Sequence, residues 1–340
     1  MTTTSLVPYD KIEERWDADP TVEKRLARER WVVTEKLHGA HFVVVAAPGA
    51  PLRFAKRREL IPPGESFFGH ELVVARLRPS LERAVDDVRR RWGAAGATVQ
   101  LHGELFGGRY PHPAVPPEPG VVEPVQSGVW YSPRIELCLY DVALLDGEAR
   151  SWAPFDEAMA LLASAGLFVA EPILTGSLAE ARAVAVERES SIPARLGLPP
   201  LAALGTPNIA EGLVLKTVRE VALPGGARVR PIVKRKIAAF AEDERYHGAQ
   251  KPRPPARASG DALARLLEAA AALVTPPRLQ SARSKLGPSA PPERLAAEVR
   301  DDVLDELQRR HPGDMAALAA GDRAILADQL LWMAQALAVA

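Results

Sequence analysis

Between residues 31 and 245 the apolar residues come in short runs separated by polar breaks. Six runs carry the β-branched and aromatic side chains that suit strands: Trp31–Glu35, His41–Ala47, Thr98–Phe106, Ile135–Leu145, Gly212–Thr217 and Val229–Lys236. Asp146-Gly147 has hairpin-turn chemistry and separates the longest run from Glu148–Trp152. Helical spacing interrupts this pattern. Residues 70–92 predict one or two helices around Pro79, and 155–165 follow Pro154, which suits a first helical turn. Ser177-Leu-Ala-Glu180 has the form of a capping box that opens a helix. Strands and helices mixed without regular alternation predict an α+β domain with antiparallel sheets and flanking helices.

The pattern changes at residues 249–260, AQKPRPPARASG, a linker-like stretch of Pro, Arg and small residues. Beyond it the apolar spacing is helical throughout. Leu263, Leu266, Leu267 and Leu273 form one stripe, and Leu295, Val299, Val303 and Leu307 form another after Pro291-Pro292. A third helical stretch runs from Asp314 to the end. Two domains are expected: a mixed one over residues 1–248 and a small all-α one over 261–340.

Composition narrows the function classes only a little. With 340 residues, 47% of them apolar, the chain can build two cores. The 43 basic and 43 acidic residues balance, so any affinity for a polyanion must be local. Cys138 is the single cysteine, which excludes an internal disulfide and fits a reducing compartment. The start, MTTTSLVPYDK, lacks the basic-then-apolar layout of a signal peptide. No apolar run reaches the roughly 18 residues of a membrane span. The expectation is a soluble, cytoplasmic protein, monomeric and without a membrane partner.

Five separated stretches place polar residues within otherwise apolar strands. They are Lys36-Leu-His-Gly39; Ala55-Lys-Arg-Arg58 with Ser66-Phe-Phe-Gly69; Gly103-Glu-Leu-Phe-Gly-Gly108; Leu139-Tyr-Asp141; and Glu211-Gly-Leu-Val-Leu-Lys216 with Val233-Lys-Arg-Lys236. Strand side chains at i and i+2 share a face, so Lys234 and Lys236 point together, as do His102 and Glu104. Gly212 beside Glu211 permits close approach of another group. A cleft of several Lys, an Arg and two Glu suits a polyphosphate carrying a divalent metal. Lys36 can then be a nucleophile. A free Lys is neutral in only about one case in two thousand at pH 7, so it needs burial or neighbouring positive charge to attack phosphorus. Attack on the α-phosphorus of ATP would give a lysyl phosphoramidate and release pyrophosphate.

These motifs, in this order, resemble the covalent nucleotidyltransferases, the ATP-dependent ligases and mRNA capping enzymes. VVTEKLHGAHF, AKR…ESFFG, HGELFGGRYPHP, EGLVLK and IVKRK are most similar to RNA ligases of the ligase-2 type, which seal nicks in duplex RNA. The resemblance covers the first domain, and that branch also has a helical tail. It implies ATP and Mg²⁺ (or Mn²⁺) as cofactors, and as partner an RNA nicked duplex or RNA ends with 5′-phosphate and 3′-hydroxyl. It also implies roles. Lys36 becomes the adenylated residue, and Glu35 lies against adenine through its backbone. His38 and Gly39 shape the nucleotide loop. Arg57 contacts the sugar–phosphate, Glu104 binds the ribose, and Tyr140 stacks on adenine. Glu211 assists the metal, and Lys234 and Lys236 contact the α-phosphate. Two positions depart from the family pattern: His41 stands where Asn is common, and Tyr140 where Phe is usual.

Taken singly, many of these residues have plainer readings. His38 and His102 would be structural histidines, Glu104 a strand-edge charge, Tyr140 a core aromatic, and Lys216 a solvated side chain, although the resembled family often uses that Lys too. Local charge adds secondary support for RNA: Arg219 to Arg257 holds ten basic and four acidic residues. The same motifs leave open a DNA ligase, a GTP-using capping enzyme, or a non-catalytic RNA-end-binding protein that retains the fold.

Overall fold

The computed structural model describes residues 6–10, 12–14, 20–121, 123–147, 149–205, 207–223, 226, 228–242, 260–287 and 290–339. The chain forms two compact units. One comprises Met1–Ile61, Ser80–Pro117 and Glu123–Lys251, and the other Pro62–Pro79, Glu118–Val122 and Pro252–Ala340.

The first unit is α+β. Its strands are β1 (Trp31–Lys36), β2 (Ala40–Ala46), β3 (Arg53–Ala55), β4 (Thr98–Arg109), β5 (Ser132–Asp146), β6 (Ala149–Trp152), β7 (Pro172–Gly176), β8 (Gly212–Thr217), β9 (Val221–Ala222), β10 (Arg228–Val229) and β11 (Ile232–Lys236). They form a four-stranded sheet, β11-β8-β1-β7, a five-stranded sheet, β3-β2-β4-β5-β6, and a short β10-β9 pair. All neighbours within the sheets are antiparallel. The expected hairpin at Asp146-Gly147 is present, with Asp146 paired to Ala149 and Gly147 at φ 59°.

Alternation divides the four-stranded sheet into two chemically distinct faces. Trp31, Val33, Leu213 and Leu215 bury one face against Leu26, Leu178, Ala181 and Val221. The intervening residues point the other way. Register then aligns them across three strands: Lys36, Gly212 and Lys236 in one row, and Thr34, Val214 and Lys234 in the next. A third row holds Val32, Lys216 and Ile232.

In the five-stranded sheet, Gly103 pairs with Leu139 while His102 pairs with Asp141, so Tyr140 is the extra residue of a bulge. Bulges re-aim side chains. This one directs Tyr140 and Asp141 to separate partners near the first sheet. Tyr9, Ala143, Trp152 and Ile232 form the apolar cluster there, with Tyr140 and Val214 packed on it. Helix Phe155–Ser164 follows Pro154 as expected and buries Phe155, Ala158, Met159 and Leu162. The Ser177 capping box is complete: Ser177 Oγ accepts from the Glu180 N–H, and the Glu180 carboxylate accepts from the Ser177 N–H.

The regular secondary structure of the second unit is all helical among its described residues. Its carboxyl-terminal part contains Gly260–Leu273, Pro276–Leu286, Pro292–Arg310, Pro312–Ala317 and Ala320–Val339. Leu263, Leu266, Leu267, Leu295, Val299, Val303 and Leu307 all lie in its core. Two details differ from the sequence expectation. Pro276-Pro277 opens a separate helix that apolar spacing did not reveal, because its residues are mostly polar. The stretch after Asp314 is broken at Leu318, whose extended backbone (ψ 130°) lets its side chain enter the core.

Residues 70–92 are one continuous helix, His70–Trp92, through Pro79. Its first turns belong to the helical unit, where Leu72 and Ala75 join the core, and its remainder from Ser80 belongs to the first unit. The linker-like stretch 249–260 lies outside the described residues, except for Gly260.

Candidate active site

The site is built around Glu211, which immediately precedes β8. Its side chain is 4% exposed. Lys36 Nζ donates to Oε2 at 2.7 Å, His38 Nδ1 lies 3.3 Å from the same oxygen, and Lys236 Nζ lies 3.3 Å from Oε1. Register explains this convergence. Lys36 and Lys236 flank Gly212 on the two neighbouring strands, one residue from Glu211. Burial pushes the Glu211 carboxyl upward, but the His38 hydrogen bond and the Lys36 charge outweigh it and hold the carboxyl at about 2.

Two glycines permit this packing. A Cβ on Gly212 would lie 2.0 Å from the Arg235 carbonyl oxygen. A Cβ on Gly39 would lie 2.1 Å from the Leu105 carbonyl oxygen and 2.8 Å from Glu104 Cγ. The glycine of Lys36-x-x-Gly39 therefore seats the β1–β2 turn directly on β4. His38 is fixed above it: its N–H donates to Tyr131 Oη at 2.9 Å, and its ring meets Phe240 edge-on at 5.0 Å.

Glu104 closes this side of the cleft. It is partly exposed at the surface of the cleft but enclosed by protein around its carboxyl. Desolvation pushes that carboxyl up to about 8, against the opposing charge of Lys36. His41 is its cross-strand neighbour. Tyr140 Oη and His41 Nδ1 are 2.8 Å apart. Arg57 is exposed in the turn after β3, with its charge acting on both His41 and Tyr140. Lys234 lies on the same strand face as Lys236, one row further from Lys36.

Glu35 points elsewhere. Its carboxylate accepts from Ser190 Oγ at 2.6 Å, Ser191 N at 2.9 Å and Ser191 Oγ at 3.1 Å. That arrangement anchors the end of β1 to the segment around Ser190.

Lys216 is buried, not solvated. It is 1% exposed, donating to Asp141 Oδ2 and the Tyr140 carbonyl, both at 2.8 Å. Arg230 and the Tyr9 hydroxyl also bond the Asp141 carboxylate. Although burial opposes ionisation, Arg230 and Lys216 hold Asp141 below its ordinary range. Tyr9, Tyr131 and Phe240 escape sequence reasoning because none lies in a polar break within an apolar strand, and Arg230, although inside the run Val229–Lys236, is not singled out because its partner Asp141 lies 89 residues away. Their roles follow from contacts across 93 or more residues for Tyr9 and Tyr131.

A buried carboxylate paired with two lysines and a histidine defines the site. Residues 29–236 match the RNA ligase family model, and the chain belongs to that family. The mitochondrial RNA-editing ligase 2 of Trypanosoma brucei brucei is 31% identical over 237 residues, covering 63% of this chain and 55% of that protein. The mitochondrial RNA-editing ligase 1 of the same organism is 29% identical over 251 residues, covering 66% and 53%. The chain thus spans about half the length of these relatives. A structure of Naegleria gruberi RNA ligase with PPi aligns with a TM-score of 0.42 at 14% identity, over 71% of this chain and 58% of that one.

Proposed function

We propose that this protein is an ATP-dependent RNA ligase acting in RNA nick repair. It joins 3′-hydroxyl and 5′-phosphate RNA ends through a lysyl-AMP intermediate and an AMP-capped 5′ end. The observation that carries this reading is the row Lys36–Gly212–Lys236 with Glu211 bonded to both lysines.

In the first step Lys36 Nζ attacks the α-phosphorus of ATP. The N–P bond forms as the bond to pyrophosphate breaks, and the proton that the amine gives up leaves by way of its hydrogen-bond partner Glu211 Oε2 to solvent. Glu211 holds Lys36 in position before nucleotide arrives. Lys234 and Lys236, on one strand face, supply fixed positive charge for the phosphate oxygens as negative charge shifts to the leaving group. Glu104, with its carboxyl at about 8, can donate a hydrogen bond to a ribose hydroxyl at neutral pH. In the second step AMP passes from Lys36 to the RNA 5′-phosphate. In the third, the 3′-hydroxyl attacks that phosphate and expels AMP.

The residues present bear on the metal as well. Among the described residues no three His, Cys, Asp or Glu side chains converge on a metal-sized space. Glu211 is the carboxylate that would hold Mg²⁺ or Mn²⁺ brought in on ATP phosphates, which would supply most of its remaining ligands together with water. When bound, the metal neutralises phosphate charge.

Incubation with ATP labelled in the α-phosphate, followed by a denaturing gel, tests the proposal. A labelled band is expected from the wild type and none from Lys36→Ala. An unlabelled wild type would instead favour an RNA-end-binding protein. Labelling by GTP in preference to ATP would favour a capping-type enzyme, and sealing of nicked DNA over nicked RNA a DNA ligase.

A further inference from the structure

His41 and Tyr140, the positions where the resemblance implies Asn and Phe, touch each other. They come from β2 and β5, strands separated by β4, and are 99 residues apart in the chain. The His41 ring is held on several sides. Nδ1 is 2.8 Å from Tyr140 Oη, and Nε2 is 3.5 Å from His102 Nδ1. Tyr9 packs against all three rings, with centroids 5.5 Å from His41, 5.1 Å from His102 and 5.6 Å from Tyr140. Burial, reinforced by the Arg57 charge, keeps the imidazole neutral, at about 4. A neutral imidazole has one donor and one acceptor nitrogen, and the two partners use both.

The chemistry of the exchange is reciprocal. A half-buried tyrosine hydroxyl needs a hydrogen-bond partner, whereas a phenylalanine ring needs none. Tyr140 is also the bulged residue of β5, outside the pairing with β4, and its carbonyl accepts instead from Lys216 Nζ at 2.8 Å. His41 supplies a second point of attachment.

We propose that His41 is a positioning residue, which locks the ring of Tyr140 through the Nδ1–hydroxyl hydrogen bond as a preset surface for the nucleotide base. Its proper partner is then Tyr and not Phe. This rests on the adenylyl-transfer reading above, and it adds to that reading a coupling between two side chains.

The test is a double-mutant cycle on the full chain: His41→Asn, Tyr140→Phe and the two together. Equilibrium ATP binding and the rate of Lys36 labelling at saturating ATP are measured separately. Each single variant is expected to weaken ATP binding about five- to tenfold, the size of one hydrogen bond. The double variant should be no more than about twofold worse than Tyr140→Phe alone. Labelling at saturating ATP should change less than about threefold, since fixing the base surface acts on binding. Thermal midpoints identify unfolded variants, and for these His41→Gln and Tyr140→Trp replace the pair in the cycle.

Multiplying single effects would overturn the proposal. So would a His41→Asn variant that binds ATP like the wild type. Either result in a wild type that labels Lys36 leaves the ligase reading intact. A wild type that neither binds ATP nor labels refutes both.

Discussion

Replacing Glu211 with Gln removes the negative charge from the centre of the site and keeps the size of the side chain. In the folded chain that carboxyl sits at about 2, against an ordinary 4.5. The full shift corresponds to about 3 kcal/mol of preference for the charged form. Lys36 is 20% exposed, so solvent screens part of its pairing, and about 2 kcal/mol is the expected loss on neutralisation. The sign follows from the direction. A depressed carboxyl stabilises fully above about pH 4.5, and that contribution disappears as pH falls toward about 2. Urea unfolding can be followed through buried Trp31 and Trp152. At pH 7 the Gln variant should unfold at a midpoint about 1 M lower. Both proteins weaken in acid as other carboxyls titrate, but the gap between them should close as pH falls below about 4. Equal midpoints at pH 7, or a gap that persists unchanged at low pH, would refute the view that Glu211 is held ionised by Lys36, His38 and Lys236. Labelling of Lys36 should fall as well, because the amine loses its anchor.

Other consequences can be checked in the same preparations. Gly39→Ala forces a methyl group onto the Leu105 carbonyl, so a loss of about 2–3 kcal/mol is expected in urea unfolding, together with weaker labelling. Asp141→Asn leaves Lys216 and Arg230 buried without their carboxylate and should cost about 3–5 kcal/mol, whereas Lys216→Met leaves Asp141 paired with Arg230 and should cost clearly less. The reverse order in calorimetry would show that Asp141 is not the centre of that network. Removing residues 252–340 should do more than remove a tail, because Leu72 and Ala75 lose the apolar side chains that cover them. The truncated chain should bind an apolar dye, and Leu72→Glu within it should suppress that binding.

The strands that carry the site were legible because their apolar runs are interrupted by charge at unusual places. Lys36, Glu104, Glu211, Lys234 and Lys236 all sit in strands or at strand ends that a simple buried-face pattern would fill with apolar residues. The helical character of residues beyond 260 was equally open, since Leu263 to Leu307 repeat at helical spacing. Elements lacking such a pattern were missed. β7 opens on Pro172 and is half-exposed at the sheet edge, while Pro276–Leu286 fell within the stretch read as helical but, being mostly polar, showed no bounds of its own.

Periodicity is local, so it told which residues share a strand face and no more. It aligned Lys234 with Lys236, and His102 with Glu104. It could not say that Lys36 and Lys236 would stand on either side of Gly212, because that register is set by pairing of β8 with β1 across 176 positions of chain and with β11 across 24. Nor could it separate Lys216, buried on Asp141, from an ordinary exposed lysine at the end of a strand, or find that His41 and Tyr140 meet. Those facts depend on which strands become neighbours and where β5 bulges. Side-chain chemistry is written residue by residue, whereas partners are chosen only when the sheets close on each other.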